Sequence, residues 1–397
     1  MNSSEGNIIV FQTIDQCKKA LNAFEQDSTL VVIVELSQKS WLVAGIVPGV
    51  DRHPLKKFDA DENRLFALIE RWKQEAIKAG CEVKRIVVTF EAGRDGFWLA
   101  RWLRARGIEA HVIHPTSVPV SREHRRAKTD RLDTELLKRA TLGWLRGEPD
   151  HCRMVAIPTL EEEDAKRSNR EHQYLVGDRT RLINRLKAAL ARLGVRNFNP
   201  KLRKASERLR ALVTPESKPL PPNTLAEMER DMQRLQFVKQ QIKAIEQTRF
   251  ERLKKAPKTR LNMMVLLVAR VLGMGIETAD MLVHEVLSRD LRDRRAVARY
   301  AGLTGAPDES GARRREKGLA RAGNARVRRG MIEFAWRFVR FQKDSTLAQW
   351  FRARTADARG PTRKTMIVAL ARKLLIALWR LVTTGEIPTS LTLRPVA

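Results

Sequence analysis

Residues 30–47 read LVVIVELSQKSWLVAGIV, and this stretch decides the predicted fold of the N-terminal part of the chain. The apolar run from Leu30 to Val34 is typical of a buried β-strand, and a second apolar run begins at Trp41. Because only a few residues separate the two runs, they predict an antiparallel hairpin. Glu35 stands where the first predicted strand ends.

The residues that follow alternate strand and helix signals. A strand is predicted at 53–58, a helix at 61–79, a strand at 86–90, a helix at 97–106, a strand at 110–113 and a helix at 128–145. Three strands, helix, strand, helix, strand, helix is the order of an RNase-H-like fold. We therefore predict an RNase-H-like α/β domain over residues 29–150, preceded by an N-terminal segment, residues 1–28.

The rest of the chain is predicted to be all-α or mostly helical. In residues 160–255, apolar side chains recur at helical spacing, as in Leu182, Leu186 and Leu190, and again from Leu225 to Ile242. They predict a helical hairpin or coiled coil with a linker at 215–223. The seam suits an internal bundle or pairing between chains. Residues 256–390 predict a basic, mostly helical C-terminal domain.

The charge of the chain indicates its partners. Its 397 residues carry 76 Lys and Arg against 46 Asp and Glu, a formal net charge of +30. Such a charge opposes compaction unless a polyanion binds, and nucleic acid is the first candidate because phosphate neutralisation releases counterions. A membrane partner is disfavoured, since no apolar run approaches the roughly 20 residues of a spanning helix.

The N-terminus and the cysteines predict a cytoplasmic protein. Residues 1–7 lack the basic and apolar layout of a signal peptide. Cys17, Cys81 and Cys152 lie far apart without metal-ligand spacing, so we expect reduced thiols.

Four carboxylates are the candidate metal ligands and catalytic residues. Glu35 and Glu91 end predicted strands that are neighbours in an RNase-H-like sheet. Asp130 and Asp133 share one face at the start of a helix. Converging carboxylates need a cation, and Mg²⁺ prefers oxygen ligands and can serve phosphodiester chemistry. Taken singly, each acid also fits a plainer role, as a strand-end or loop charge or as a helix N-terminal carboxylate.

Several motifs resemble those of the IS110 family of insertion-sequence transposases. KTDRLDTE at 128–135 resembles the family motif K-T-D-x-x-D-A, and FEAGRDGFWL at 90–99 resembles its second-acid segment. YAGL at 300–303, ESG at 309–311 and GLARAGNARVRR at 318–329 resemble its A-G-L, S-G and T-K-x-G-N-x-x-x-R signatures. The resemblance covers roughly residues 30–387.

The resemblance implies a DEDD transposase with a RuvC-like domain that binds Mg²⁺. By motif position it implies Ser310 as the nucleophile that forms a phosphoserine link with DNA. It further implies a noncoding bridge RNA that guides donor and target DNA. It also implies a homo-oligomer, a dimer or tetramer, whose sites combine one subunit's carboxylates with another's serine. A prokaryotic, nucleoid-associated protein would follow.

The sequence departs from the family pattern at one single residue and at one pair of residues. Glu35 stands where the family has Asp, and the extra methylene requires the metal or the backbone to shift. Ala320-Arg321 replaces Thr-Lys.

Basic residues and glycines predict the nucleic-acid contacts. Leu272 to Ala279 resembles a helix-hairpin-helix turn, whose N–H groups can hold a phosphate; an ordinary interhelical turn is the alternative. Runs of arginine flank Ser310, and another precedes the Asp pair; such runs clamp phosphates or form solvated faces. The predicted contacts are Arg122, Arg125, Arg126, Lys128, Gly273, Gly275, Arg313, Arg314, Arg315, Arg321, Asn324, Arg326, Arg328 and Arg329.

Two other functions compete with a recombinase. A structure-selective nuclease that resembles a Holliday-junction resolvase would need the carboxylates but not Ser310. A nucleic-acid-binding protein with an inactive nuclease fold would explain the glutamate at position 35.

Overall fold

A computed structural model describes residues 24–93, 96–118, 130–148, 151–310, 313–320, 322–356 and 360–395. It divides into two compact units, the first ending at Leu160 and the second beginning at Glu161. The first is mixed α/β and the second mostly helical. The predicted boundaries at residues 28, 150 and 256 stay predictions.

The first unit is built on one six-stranded sheet. Its strands are β1 (Thr29–Leu36), β2 (Ser40–Ile46), β3 (Leu55–Asp59), β4 (Arg85–Glu91), β5 (Glu109–Ile113) and β6 (Met154–Val155), in the spatial order β3-β2-β1-β4-β5-β6. β1 and β2 form the predicted antiparallel hairpin, and β4 lies parallel to β1. The predicted element order and the adjacency of the first and fourth strands are therefore confirmed.

Helices cover both faces of this sheet, which explains why β1 is apolar at successive positions. α1 (Glu62–Lys78) and α2 (Trp98–Arg104) pack on the face that carries Val32, Val34 and Phe90. α3 (Asp130–Leu145) packs on the opposite face, against Val31 and Ile33.

The second unit begins with the predicted helical hairpin. After the short helix α4 (Leu160–Asp164), α5 (Arg167–Arg192) packs against α7 (Pro222–Lys255) through the predicted leucine and methionine faces. The apolar seam is thus buried within one chain. The linker predicted at 215–223 was wrong in extent. α7 already begins at Pro222, because proline is well tolerated at the first position of a helix, and a short helix, α6 (Ala205–Arg210), lies in the connection.

The remaining helices surround a second hydrophobic core. They are α8 (Arg260–Ala269), α9 (Ile276–Leu282) with a π turn (Val283–Leu287), α10 (Arg294–Tyr300), α11 (Ala325–Phe341), α12 (Thr346–Thr355) and α13 (Gly360–Thr384). A β-hairpin, β7 (Gly305–Ser310) and β8 (Arg313–Leu319), interrupts them. The sequence did not predict this hairpin, because its strands lack apolar alternation.

Candidate active site

Glu35 and Glu91 occupy neighbouring positions on parallel strands. Val34 is paired with Phe90, so the next residue of each strand, Glu35 on β1 and Glu91 on β4, lies one step further in the same register. Adjacent strands are about 4.8 Å apart, and register neighbours point to the same face. β1 continues to Leu36, so Glu35 is the penultimate residue of the strand and lies within it. Glu91 is the last residue of β4. The structure therefore brings these two predicted carboxylates together.

An open cleft of about 860 Å³ lies over the pair. Its walls include Glu35, Glu91, the link between β1 and β2, and Lys57 of β3. The Oε2 atom of Glu35 is shielded from solvent. Lys57 is opposite Leu42, which is opposite Glu35, so register places this cation on the same face as the carboxylates. Sequence reasoning missed Lys57, since only strand pairing reveals its position.

α3 covers the face to which Glu35 and Glu91 belong. Leu137 and Ala140 of α3 pack with Val31 and Val87 of the sheet. The hydroxyls of Thr89 and Thr141, both fully buried, form a hydrogen bond of 2.8 Å that joins β4 to the helix. The helix whose first turn carries Asp130 and Asp133 is thus fixed to the strand that ends in Glu91.

Three of the four predicted metal ligands, Glu35, Glu91 and Asp133, have side chains within the described residues. Asp133 is half-buried, while the side chain of Asp130 lies outside the described residues. Within the described part of the chain, no three His, Cys, Asp or Glu side chains gather as a metal site. The adjacent carboxylates Glu35 and Glu91 are nevertheless a donor set suited to a hard divalent cation. The four-carboxylate site stays a prediction.

A different acidic residue, Glu109, lies at the start of β5 and has protein partners. Arg85 donates two hydrogen bonds to it, at 2.7 and 2.8 Å, and the His111 ring nitrogen lies 2.6 Å away. Burial raises the pKa of Glu109, but the hydrogen bonds with His111 and Arg85 outweigh burial and lower the pKa to about 2. Glu109 is therefore a structural ion-pair residue of the sheet.

The second unit holds the other predicted catalytic residue, Ser310. Its backbone ends β7, paired with Arg313 of β8. The side chains of Ser310 and of Arg313, Arg314 and Arg315 lie outside the described residues, as do Arg122, Arg125, Arg126, Lys128 and Arg321 entirely. Their predicted roles stay predictions.

The segment from Gly323 to Arg326, which belongs to the last of the family signatures, contacts other parts of the second unit. Asn324 caps α11, accepting hydrogen bonds from the backbone N–H groups of Arg326 and Val327, and its amide donates to Glu285 at 2.9 Å. Arg326 donates to the Tyr174 hydroxyl at 3.1 Å. Asn324 therefore sets where α11 begins.

Arg328 and Arg329 also contact neighbouring groups. Arg328 donates to the carbonyl oxygen of Ala322 at 3.3 Å, and Arg329 forms an exposed ion pair with Glu333 at 3.0 Å. An exposed pair of this kind contributes little to stability. Phosphate binding by these arginines stays a prediction.

The glycine turn between α8 and α9 packs against α11. Gly273 has a φ of +89°, and a Cβ there would lie 3.4 Å from Phe341. Arg337 donates to the Thr278 hydroxyl at 2.9 Å beside the turn. These contacts are what an ordinary interhelical turn needs, and phosphate binding at Gly273 and Gly275 stays a prediction.

A buried ionic cluster ties three helices of this unit together. Asp280 of α9 is fully buried and accepts hydrogen bonds from Asn169 at 2.9 Å, from Arg249 at 3.2 Å and from Arg252. Arg249 also donates to Asn169 at 3.0 Å. Sequence reasoning missed this cluster because its members lie on α5, α7 and α9.

The first unit has a mixed β-sheet with two carboxylates side by side at neighbouring strand ends, and the chain carries a net charge of +30. These features define a class of protein that acts on nucleic acid. Residues 50–194 match the DEDD transposase family of IS110 elements, and residues 266–350 match the family described as "Transposase IS116/IS110/IS902 family". The protein named "Putative transposase y4rJ", from Sinorhizobium fredii (strain NBRC 101917 / NGR234), is 40% identical over 370 residues, which cover 90% of this chain and 93% of that relative.

The chain therefore belongs to the IS110/IS116/IS902 family of transposases and is an enzyme that acts on DNA. A DEDD-type domain implies a divalent metal ion. None of the helices in the described residues has the length and apolar character to cross a membrane. Cys81 and Cys152 are free thiols, while Cys17 lies outside the described residues.

Proposed function

We propose that this transposase cuts and rejoins DNA with four carboxylates, Mg²⁺ and a serine nucleophile, guided by an RNA from its own element. One observation carries the proposal: Glu35 and Glu91 lie side by side on the face that α3 covers. The strand order β3-β2-β1-β4-β5, with β1 antiparallel to β2 and parallel to β4, supports an RNase-H-like, RuvC-like domain.

Mg²⁺ would be held by Glu35, Glu91, Asp130 and Asp133. When bound, the metal would activate the attacking oxygen and stabilise the leaving oxygen of a phosphodiester. The chain's contribution is to hold its acidic side chains in place. Glu35 and Glu91 are fixed by strand pairing, and the Thr89–Thr141 hydrogen bond fixes the helix that begins at Asp130.

Ser310 would carry the DNA strand between cutting and rejoining. Its Oγ forms a bond to phosphorus while the bond from phosphorus to the leaving deoxyribose oxygen breaks, and the serine proton passes to water. A serine hydroxyl is weak at its ordinary pKa and needs activation. The neighbouring arginines, Arg313 to Arg315 and Arg321, would stabilise the charge on the phosphate.

Guide RNA and an oligomer are further parts of the proposal, and the family supports them. The net charge of +30 favours binding of nucleic acid in general, RNA as well as DNA. A dimer or tetramer would let Ser310 of one subunit complete the carboxylate site of another. RNA binding should not need the carboxylates, since RNA shape and 2′-hydroxyl contacts are separate from chemistry.

The experiment is to incubate the protein with Mg²⁺, supercoiled and branched DNA, and the element's RNA. Ser310→Ala should lose recombination and any covalent protein–DNA adduct while still binding DNA. Asp130→Asn and Asp133→Asn should lose strand cleavage with an unchanged melting temperature. Ser206→Ala, which removes a hydroxyl from α6, is the matched control and should behave as wild type.

Mixing the Ser310→Ala and Asp130→Asn proteins tests the shared site. If one subunit's serine meets another's carboxylates, the mixture should recover part of the activity that each variant lacks. Recovery in the mixture but not in either protein alone would establish complementation between subunits.

Two outcomes would favour the competing functions. A Ser310→Ala protein that still recombines DNA would leave the resolvase-like metal nuclease. A wild-type protein that binds DNA and RNA but never cleaves, with or without Mg²⁺, would leave the binding protein with an inactive nuclease fold.

A further inference from the structure

One face of α13 carries a regular row of side chains next to the β7–β8 hairpin. Lys364, Val368, Arg372 and Ile376 recur every four residues and line one groove. Arg294 and Arg295, at the start of α10, line it as well. We call this the basic groove. The opposite face of α13 is buried in the core through Leu370, Leu374 and Leu378, so the helix is held firmly while the groove side is open.

The cations of the basic groove are available to a ligand. Arg294, Arg295, Lys364 and Arg372 are all exposed. Among the side chains that the structure describes, no carboxylate forms an ion pair with any of these four. The nearby carboxylate of Asp293 caps α10, accepting from the backbone N–H of Ala296 at 2.7 Å. The groove therefore concentrates positive charge that the described protein leaves unneutralised.

The spacing of these cations suits a nucleic-acid backbone. Lys364 and Arg372 are eight residues apart, about 12 Å along the helix axis, or roughly three to four nucleotides of one DNA strand. Between them the half-buried Val368 forms an apolar floor, which Ile376 extends. A cationic rim over an apolar floor can take phosphates and the sugar face of a strand together.

The hairpin links the groove to Ser310. The groove reaches the base of the hairpin, at Gly305 and Leu319, which are paired with each other. β7 then runs from Gly305 to Ser310, about 17 Å, or roughly five nucleotides of a strand.

We infer that the basic groove binds the phosphate backbone of the DNA strand on which the enzyme acts, a few nucleotides from the phosphate that Ser310 attacks. The position of the reacting phosphate rests on the proposed function, whereas DNA binding in the groove does not. Contacts to phosphates position a duplex without reading its sequence, so the groove would hold target and donor DNA alike.

The test removes three groove charges and compares them with three charges elsewhere. The groove variant is Arg294→Gln, Lys364→Gln, Arg372→Gln. The matched control is Arg196→Gln, Lys201→Gln, Arg203→Gln, three exposed positions with the same two arginines and one lysine. DNA affinity is measured by fluorescence anisotropy in EDTA, from 50 to 200 mM salt, so the result is independent of strand chemistry.

Each phosphate contact contributes about 0.9 to the slope of log affinity against log salt. The groove variant should therefore lose up to about 2.7 from the slope and at least about ten-fold in affinity, while the control changes far less. If the melting temperature of the triple variant differs from that of wild type, the single variants Lys364→Gln and Arg372→Gln replace it. Each should reduce the slope of log affinity against log salt by about 0.9. Arg372→Lys, which keeps the charge, should keep the affinity.

Several results would overturn the inference. Equal losses in the groove and control variants would show only a general effect of charge. Loss of affinity for the element's RNA with unchanged DNA affinity would assign the groove to RNA. A changed oligomeric state in light scattering, with unchanged DNA affinity, would assign it to a second copy of the chain. By contrast, reduced DNA affinity of the groove variant supports the inference even if the Ser310→Ala protein stays active, and in that case only the serine mechanism of the proposed function fails.

Discussion

Replacing Asp280 by asparagine is expected to lower the melting temperature of the second unit by roughly 6–20 °C. Asp280 is fully buried, and the Arg249 side chain beside it is 2% exposed. The asparagine cannot neutralise Arg249, which is left as a buried charge without its counterion. Breaking a buried pair from one side costs about 3–5 kcal/mol, and each kcal/mol corresponds to about 2–4 °C in a unit of this size.

Thermal unfolding followed by circular dichroism measures the effect on the full chain. Asp178→Asn is the matched control, because Asp178 pairs with Arg181 on the exposed surface of α5, where an ion pair contributes about 0–1 kcal/mol. Asp280→Leu combined with Arg249→Met should recover most of the lost stability, since no buried charge is left uncompensated. An Asp280→Asn protein that melts within about 2 °C of wild type would refute the reasoning, because a shift that small corresponds to a loss of at most about 1 kcal/mol.

Four further changes test the first unit. Glu91→Gln should abolish strand cleavage without changing the melting temperature, because it removes a proposed metal ligand. Glu35→Asp should keep or raise cleavage, since it restores the shorter acid of the family pattern. Thr141→Val should cost about 1–3 kcal/mol in urea unfolding by leaving the Thr89 hydroxyl buried without its partner, whereas Thr89→Val combined with Thr141→Val should lie closer to wild type. Glu109→Gln should lower stability at neutral pH, and its difference from wild type should vanish as pH falls from about 4.5 to about 2.

The sign of the Glu109 effect follows from its lowered pKa. The pKa of Glu109 is lower in the folded state than in the unfolded state. The ionised carboxylate therefore stabilises the folded state above about pH 4.5, and this stabilisation is lost as pH falls towards 2. Glu82→Gln, at an exposed position with a side chain 81% accessible, is the control. A Glu109→Gln difference that grows in acid would contradict this linkage.

The remaining changes have equally direct contradictions. Wild-type cleavage by Glu91→Gln would remove Glu91 from the site, and full activity in Glu35→Ala would show that the first acid lies elsewhere. A double threonine variant that is less stable than Thr141→Val alone would show that the two hydroxyls do not depend on each other.

The sequence by itself determined the elements of the first unit. The apolar runs at Leu30 and Trp41 specified two buried strands, and the short link between them left only a hairpin. Because parallel neighbours end at the same edge, the order of elements was enough to expect Glu35 and Glu91 side by side. The motifs around Asp130 and Asn324 were enough to identify the family.

Only the tertiary structure decided what depends on distant pairings. The β7–β8 hairpin has no apolar alternation from which its strands could be predicted. Only the pairing of the two strands in the structure identifies it. Asp280 meets Arg249 and Asn169 through helix packing, and no sequence spacing encodes that contact. Lys364, Val368, Arg372 and Ile376 recur every four residues in the sequence, but this spacing alone does not predict a binding surface. These side chains line a groove only because α10 and the β7–β8 hairpin lie beside α13 in the tertiary structure. The groove is what would bring their positive charges together around a ligand.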